Sequence, residues 1–287
     1  MQAMRGLGVS PTMIKEIKLV KKVKCLLRRL GYPRWLHRFG PKTYEFFEHV
    51  SALLVRSFCQ LSYRRVKQLF DLLDICCPSK SSLQYTAAKL SAGFWQKILQ
   101  LTSGSHYLIA LDSTGFSRTN PSYHYLRRIN GAMPKVPVKA SIAFDTRKKK
   151  FCAAKIRLLP AADIRDEKYL LIKSKACKAV ADKAYLSEAM YKYAYQQKII
   201  LMIPTKKNAK RGFYRKIMQK HFRLRTYHRR ALIESANSSI KRKYGTSVTS
   251  KKARTIRTEI YSRMACHNIF LLINRLLGQS RKLIITY

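Results

Sequence analysis

Residues 107–116 read YLIALDSTGF. Leu108, Ile109, Ala110 and Leu111 follow one another without a polar break and lead into Asp112. A run that is apolar on both faces suits a strand buried on both sides, in a sheet covered by helices. An acid closing such a strand would stand where α/β sheets leave a crevice for ligands.

Working outward, VKASIAFD (Val138 to Asp145) and FCAAKIRLL (Phe151 to Leu159) flank TRKKK and predict a hairpin that joins the first strand. A helix is expected over Arg165 to Ser174, a short strand over Lys178 to Asp182, a helix over Ser187 to Gln197 and a strand over Ile199 to Pro204. Helices are expected from about Arg229 onward. The order β-β-β-α-β-α-β-α describes an α/β fold with a mixed β-sheet flanked by helices, the arrangement of ribonuclease-H-like nucleases.

Upstream of this block, residues 1–100 read as an all-helical N-terminal region, so the expected division is 1–100 and 101–287. Lys18 to Leu30 is basic and amphipathic, and Thr43 to Cys59 is an apolar helix. Ser62 can cap YRRVKQLFDLLDI, and PSKSSLQYTAAKL opens with serines able to cap a second helix. Two short helices across a tight turn resemble a helix-turn-helix, with Ser79 to Lys89 as the DNA-reading helix. A helical cap that only packs on the next domain is the alternative.

Charge narrows the partner. The chain carries 59 Lys and Arg against 14 Asp and Glu, a formal charge of +45. Such a field favours a polyanion, and nucleic acid is the commonest. The longest apolar run near the C-terminus, Ile269 to Ile273, is too short to span a bilayer. The first residues lack the apolar core of a signal peptide, so a cytoplasmic protein beside the chromosomal DNA is expected. Seven cysteines form no CxxC pair, which predicts small buried hydrophobes in a reducing compartment, without a thiolate metal site.

With acids so scarce, their positions carry information. Asp112 and Asp182 are each expected at a strand end, and Glu234 within a helix that could cross the crevice. Three converging carboxylates can hold two divalent cations roughly 3.5–4 Å apart, the arrangement used for in-line displacement at phosphorus. Mg²⁺ takes such hard oxygen ligands and keeps several waters. Each acid also has a plainer use. Asp112 could cap the turn STGF, Asp182 could cap the helix after it, and Glu234 could pair with Arg230 four residues earlier. Asp145 falls in a hairpin turn, and Asp163, Asp166 and Glu167 crowd a helix entry where the dipole favours acids.

The stretch TYHRRALIESANSSIKRKYG (Thr226 to Gly245) holds Glu234 as its one acid. On a continuous α-helix at roughly 100° per residue, Tyr227, Arg230, Glu234 and Lys241 share one narrow face. An apolar packing stripe would not be built from those four residues. The face suits a metal-binding acid flanked by cations for phosphates.

Tyr227-x2-Arg230-x3-Glu234-x6-Lys241 resembles the Y-x2-R-x3-E-x6-K signature of the DDE transposases of prokaryotic insertion sequences. Asp182-Lys183-Ala184-Tyr185 is similar to that family's second motif, and Leu111-Asp112-Ser113-Thr114 to its first. The resemblance covers roughly residues 105 to 275. It implies a ribonuclease-H-like fold and a catalytic and metal-binding triad of Asp112, Asp182 and Glu234. It also implies a two-metal site for Mg²⁺, with Mn²⁺ able to substitute. The implied partners are double-stranded DNA, both terminal inverted repeats and target, and a second copy of the chain on paired DNA ends. Tyr227, Arg230 and Lys241 would contact DNA near the cleaved strand. Many relatives carry a His-Asp pair after the third strand, whereas PAADIRD (Pro160 to Asp166) has no His. A nuclease of the same fold and a non-catalytic DNA-binding protein derived from a transposase are the competing readings.

Overall fold

The computed structural model describes residues 13–37, 39, 42–118, 136–205 and 211–284. Five helices come first: α1 (Met13–Arg29), α2 (Phe46–Phe58), α3 (Tyr63–Leu72), α4 (Lys80–Lys89) and α5 (Ala92–Ser103). The entries of three are fixed by serine caps. Ser62, Ser79 and Ser91 each accept from the backbone N–H three residues on.

The sheet begins with β1 (His106–Arg118), β2 (Val138–Asp145) and β3 (Lys150–Arg157), a meander of antiparallel neighbours. Helix α6 (Ile164–Ser174) leads to β4 (Ala176–Val180), and α7 (Glu188–Gln196) to β5 (Ile200–Met202). Both strands run parallel to β1, giving the order β3-β2-β1-β4-β5. This is the mixed, helix-flanked sheet expected from the element order. After it come α8 (Phe213–Lys220), α9 (Leu224–Tyr227), a 3₁₀ turn at His228–Arg230, α10 (Ala231–Tyr244), the two-residue β6 (Ser247–Val248) on β1, and α11 (Ala253–Ile284).

The apolar run in β1 has a direct cause. Leu108 and Ala110 belong to one hydrophobic cluster, Ile109 and Leu111 to a second. Period-two alternation sends neighbours to opposite faces, and both faces are covered, so no polar residue interrupts the run. The first cluster joins one sheet face to α1, α2, α5 and α11, running across residue 100; the second lies beneath α6 and α7. The exposed edge of β3 is closed by side chains. Asn268 on α11 accepts from Phe151 N at 2.9 Å and donates to Phe151 O at 2.7 Å. Gln96 on α5 likewise donates to Cys152 O and accepts from Ala154 N. Amides that satisfy an edge backbone also block edge-to-edge pairing.

Several local expectations change. Asp112 lies in the middle of β1, not at its end, because the strand continues to Arg118 along β2 and β6. Asp182 falls two residues past β4. Helix α8 and strand β6 were not anticipated. Thr226 to Gly245 is not one α-helix, since a 3₁₀ turn separates α9 from α10. Asp166 and Glu167 do stand in the first turn of α6, as expected, and both are buried there. Asp166 is held by Arg157 and by Ser141. Asp145 is buried too, paired with His106 at 2.8 Å and accepting from the N–H groups of Arg147 and Lys148. Cys77, Cys152 and Cys266 are buried and unpaired, whereas Cys25, Cys76 and Cys177 are exposed. Most of the basic run Lys206 to Arg211 lies outside the described residues. Among the described residues, no helix is long and apolar enough to cross a membrane.

Candidate active site

Strand register brings the first two acids to one level. The β1–β4 ladder ends at Ala110 opposite Val180, two residues before Asp112 and two before Asp182. Parallel neighbours lie about 4.8 Å apart, and here they part, which opens the crevice expected at strand ends. Asp112 is half-buried. Burial raises its carboxyl above the ordinary range, with Glu234 and Asp163 adding to the rise; the Ser113 backbone and Arg230 oppose it. Asp182 caps the short 3₁₀ turn Lys183–Tyr185, accepting from Lys183 N at 2.7 Å. Its capping role and its place beside the crevice therefore coexist.

Helix α10 supplies the third acid. Glu234 is exposed and accepts from Arg230 Nη2 at 2.6 Å, the i,i+4 pair foreseen as its plainer role. Arg230 is the electrostatic centre of the group. Burial lowers its guanidinium, but Glu234, Tyr227, Asp182 and Asp112 outweigh that and raise it above its usual value. One guanidinium is thus within the field of all three acids singled out in the sequence.

The remaining members of the helical face lie differently. The 3₁₀ turn winds 120° per residue in place of 100°, so Tyr227 is displaced by about 60° from the phase a continuous α-helix would give it. Its ring packs on Phe222, with centroids 5.6 Å apart. Lys241 lies further along α10, with Nζ 5.7 Å from the Phe116 ring centre.

Two features escaped the sequence reading. Asn237, one turn beyond Glu234, donates from Nδ2 to Asp112 Oδ2 at 3.0 Å and ties α10 to β1. Asp163 accepts from Ser113 Oγ at 2.6 Å and pairs with Lys139, so it braces the residue next to Asp112. Tyr185 is buried nearby, and its phenol is pushed up by burial and by Asp163 and Asp112. The i+3 spacing of Glu234 and Asn237 was visible, but nothing in one sequence separates an Asn that reaches a strand from one that faces water.

Among the described residues, no three His, Cys, Asp or Glu side chains are grouped so as to hold a metal ion as they stand. The donors nevertheless suit a hard divalent cation in kind: they are carboxylates, of which Asp112 is partly desolvated and has no ion-pair partner among the described residues. Where positive charge is wanted, Arg230 provides it.

A mixed sheet of this order, with acids where β1 and β4 separate and a third on a helix beside them, defines a ribonuclease-H-like protein. The sequence profile described as Transposase DDE domain matches residues 103–269, more than half of the chain, and the chain belongs to that family. No curated protein matches it. Among solved structures, the piggyBac transposase synaptic complex with hairpin DNA is similar over 92% of this chain and 73% of that one, at 12% identity and a TM-score of 0.45. The Mos1 transposase paired-end complex with the left transposon end is similar over 85% and 84%, at 11% identity and a TM-score of 0.24.

Proposed function

We propose that this chain is an active transposase, which cleaves DNA strands at the ends of an insertion sequence and joins them to target DNA. Asp112, Asp182 and Glu234 are the catalytic acids in this reading. The observation that carries it is one of register: Asp112 and Asp182 each stand two residues beyond the last β1–β4 pair, and α10, which carries Glu234, is tied to Asp112 through Asn237, in a chain with only 14 acids. The same three would hold Mg²⁺, or Mn²⁺ in its place, and a bound divalent cation there would activate a water and stabilise the oxygen leaving phosphorus. In the first reaction water forms a P–O bond and the 3′ oxygen leaves as a hydroxyl. In the second that hydroxyl attacks a target phosphodiester, giving up its proton and forming the new P–O bond as the target strand's own 3′ oxygen leaves as a hydroxyl.

Around this centre the chain's own residues hold the substrate. Arg230 and Lys241 clamp phosphates, and Tyr227 stacks on a base or orients the helix. Asn237 keeps the Asp112 carboxylate facing α10. Residues 1–100 act as the DNA-end-binding region, and 101–287 as the catalytic domain. Two ends must be paired, so the working form is a homodimer on DNA.

One observation favours a second reading. Glu234 is engaged by Arg230, and the three acids do not form a ready cation site, as in a DNA-binding protein that no longer cuts. DNA carrying the element's terminal inverted repeats separates the two. Mg²⁺-dependent nicking at the ends, lost in Glu234→Gln, is expected of the transposase. Binding without cutting in Mg²⁺ or Mn²⁺ would establish the second reading, and cutting without joining to a second DNA would mark a nuclease. Undiminished cutting by Glu234→Gln would reject the site.

A further inference from the structure

Between the N-terminal helices and the segment that joins α10 to α11 lies an open groove of about 1050 Å³. The outward face of α4, including Tyr85, lines it together with Arg65, the entry to α11 at Lys251 and Lys252, and the buried Arg56 and Arg263. Five cations thus meet one acid, Glu259. That acid is already satisfied: Arg263 donates to it at 2.8 Å, and the N–H groups of Thr249 and Ser250 at 3.1 and 3.0 Å. Arg65, Lys251 and Lys252 pair with no carboxylate among the described residues, and Arg56 Nε is buried without a hydrogen-bond partner. Tyr85 exposes 58% of its surface, with Lys89 Nζ 4.4 Å from its ring centre.

We propose that this groove binds a single strand of nucleic acid, with phosphates on Arg65, Lys251 and Lys252 and a base stacked on Tyr85. Unpaired cations beside an exposed aromatic ring are the two elements of single-strand binding. A duplex keeps its base faces stacked away, so Tyr85 would gain nothing from one. The position is apt as well. Ser247, which lines the groove, pairs with Ser117 on β1, the strand that holds Asp112 five residues earlier. At about 3.4 Å per residue, a strand leaving the carboxylates reaches the groove within a few nucleotides. The groove assignment stands on its own lining and not on the catalytic acids, so either can fail without the other.

The test uses the full chain, a fluorescent oligodeoxythymidine of about a dozen nucleotides, and a chelator to prevent cutting. Affinity is followed by anisotropy across a salt series. Tyr85→Ala is expected to weaken binding about tenfold or more with the salt slope unchanged, while Tyr85→Phe binds as the parent does. Arg65→Gln/Lys251→Gln/Lys252→Gln should weaken binding and lower the slope of log affinity on log salt by about 2, at roughly 0.7 per phosphate. Removing the same charge outside the groove, with Lys168→Gln/Lys192→Gln/Lys216→Gln, should change affinity less than about threefold, from screened long-range attraction alone. Thermal unfolding identifies any misfolded variant, and the single Lys252→Gln then carries the test. Equal effects of the two triple variants, or an unchanged Tyr85→Ala, would overturn the proposal. So would equal loss of blunt duplex binding in the groove variants.

Discussion

Asn237 Nδ2 donates to Asp112 Oδ2 at 3.0 Å across the space between α10 and β1. It is one helical turn from Glu234, so a single contact fixes the spacing of two of the three acids. Partners that orient ligating carboxylates are typically worth 10–100-fold in metal affinity or activity. Asn237→Ala should raise the Mg²⁺ concentration for half-maximal nicking about tenfold, with end binding in chelator unchanged. An unaltered Mg²⁺ dependence would remove Asn237 from the site.

Arg230 stands in the field of Asp112, Asp182 and Glu234 and bonds to Glu234 at 2.6 Å. A cation there competes with a divalent ion for the same carboxylates. Arg230→Gln should therefore strengthen Mn²⁺ binding to the DNA-free protein by about fivefold, a change of about 1 kcal/mol, measured by calorimetry. The same substitution removes a phosphate clamp, so the salt slope of duplex binding should fall by about 1. Weaker Mn²⁺ binding in the variant would show that Arg230 assembles the acids rather than competing for them.

How far the sequence foretold this arrangement depends on the range of the forces involved. The apolar run of β1 was legible because burial on both faces leaves no polar residue in the four positions Leu108 to Leu111. Asp112 and Asp182 were legible as outliers in a chain poor in acids. The length of β1 was not, since Ser113 to Arg118 become strand only by pairing with β2 and β6, which are distant in sequence. The 3₁₀ turn at His228–Arg230 has no Gly or Pro to announce it. Glu167 looked like a dipole-favoured acid at a helix start, but its burial depends on how α6 lies on the sheet.

Helix α8 begins at a glycine for a reason that a substitution can test. Gly212 has φ of +128°, and a Cβ there would come within 2.4 Å of Glu188 Oε2. Glu188 accepts from Tyr214 N at 2.7 Å and so caps α8 from the start of α7. Gly212→Ala forces both a strained φ and loss of the cap, each on the order of 1 kcal/mol. Its melting temperature should fall by about 4 °C or more. Glu188→Ala in the same background should cost little further, because the cap is already displaced. Full additivity of the two changes would show that Gly212 and Glu188 act independently.

Glu167 gives the chain a pH dependence of unusual sign. Its side chain is fully buried, neither carboxyl oxygen has a hydrogen-bond partner among the described residues, and burial pushes its pKa up to about 8. In the unfolded chain the value is about 4.3. The folded state therefore holds a proton that the unfolded state releases, and stability falls as pH rises between those values, then levels off above about 8. His49, lowered to about 4 by burial, and His267, also lowered, act the other way. Their effect ends near the unfolded histidine value of about 6.5. Between pH 6.5 and 8 Glu167 acts without them, and about 1.4 kcal/mol per pH unit amounts to about 2 kcal/mol. Denaturant unfolding should show that loss in the parent protein and little of it in Glu167→Gln, which keeps the shape without the titration. A parent curve flat over this window, or a Gln variant of equal slope, would mean that Glu167 has found a partner or water that the buried position does not show.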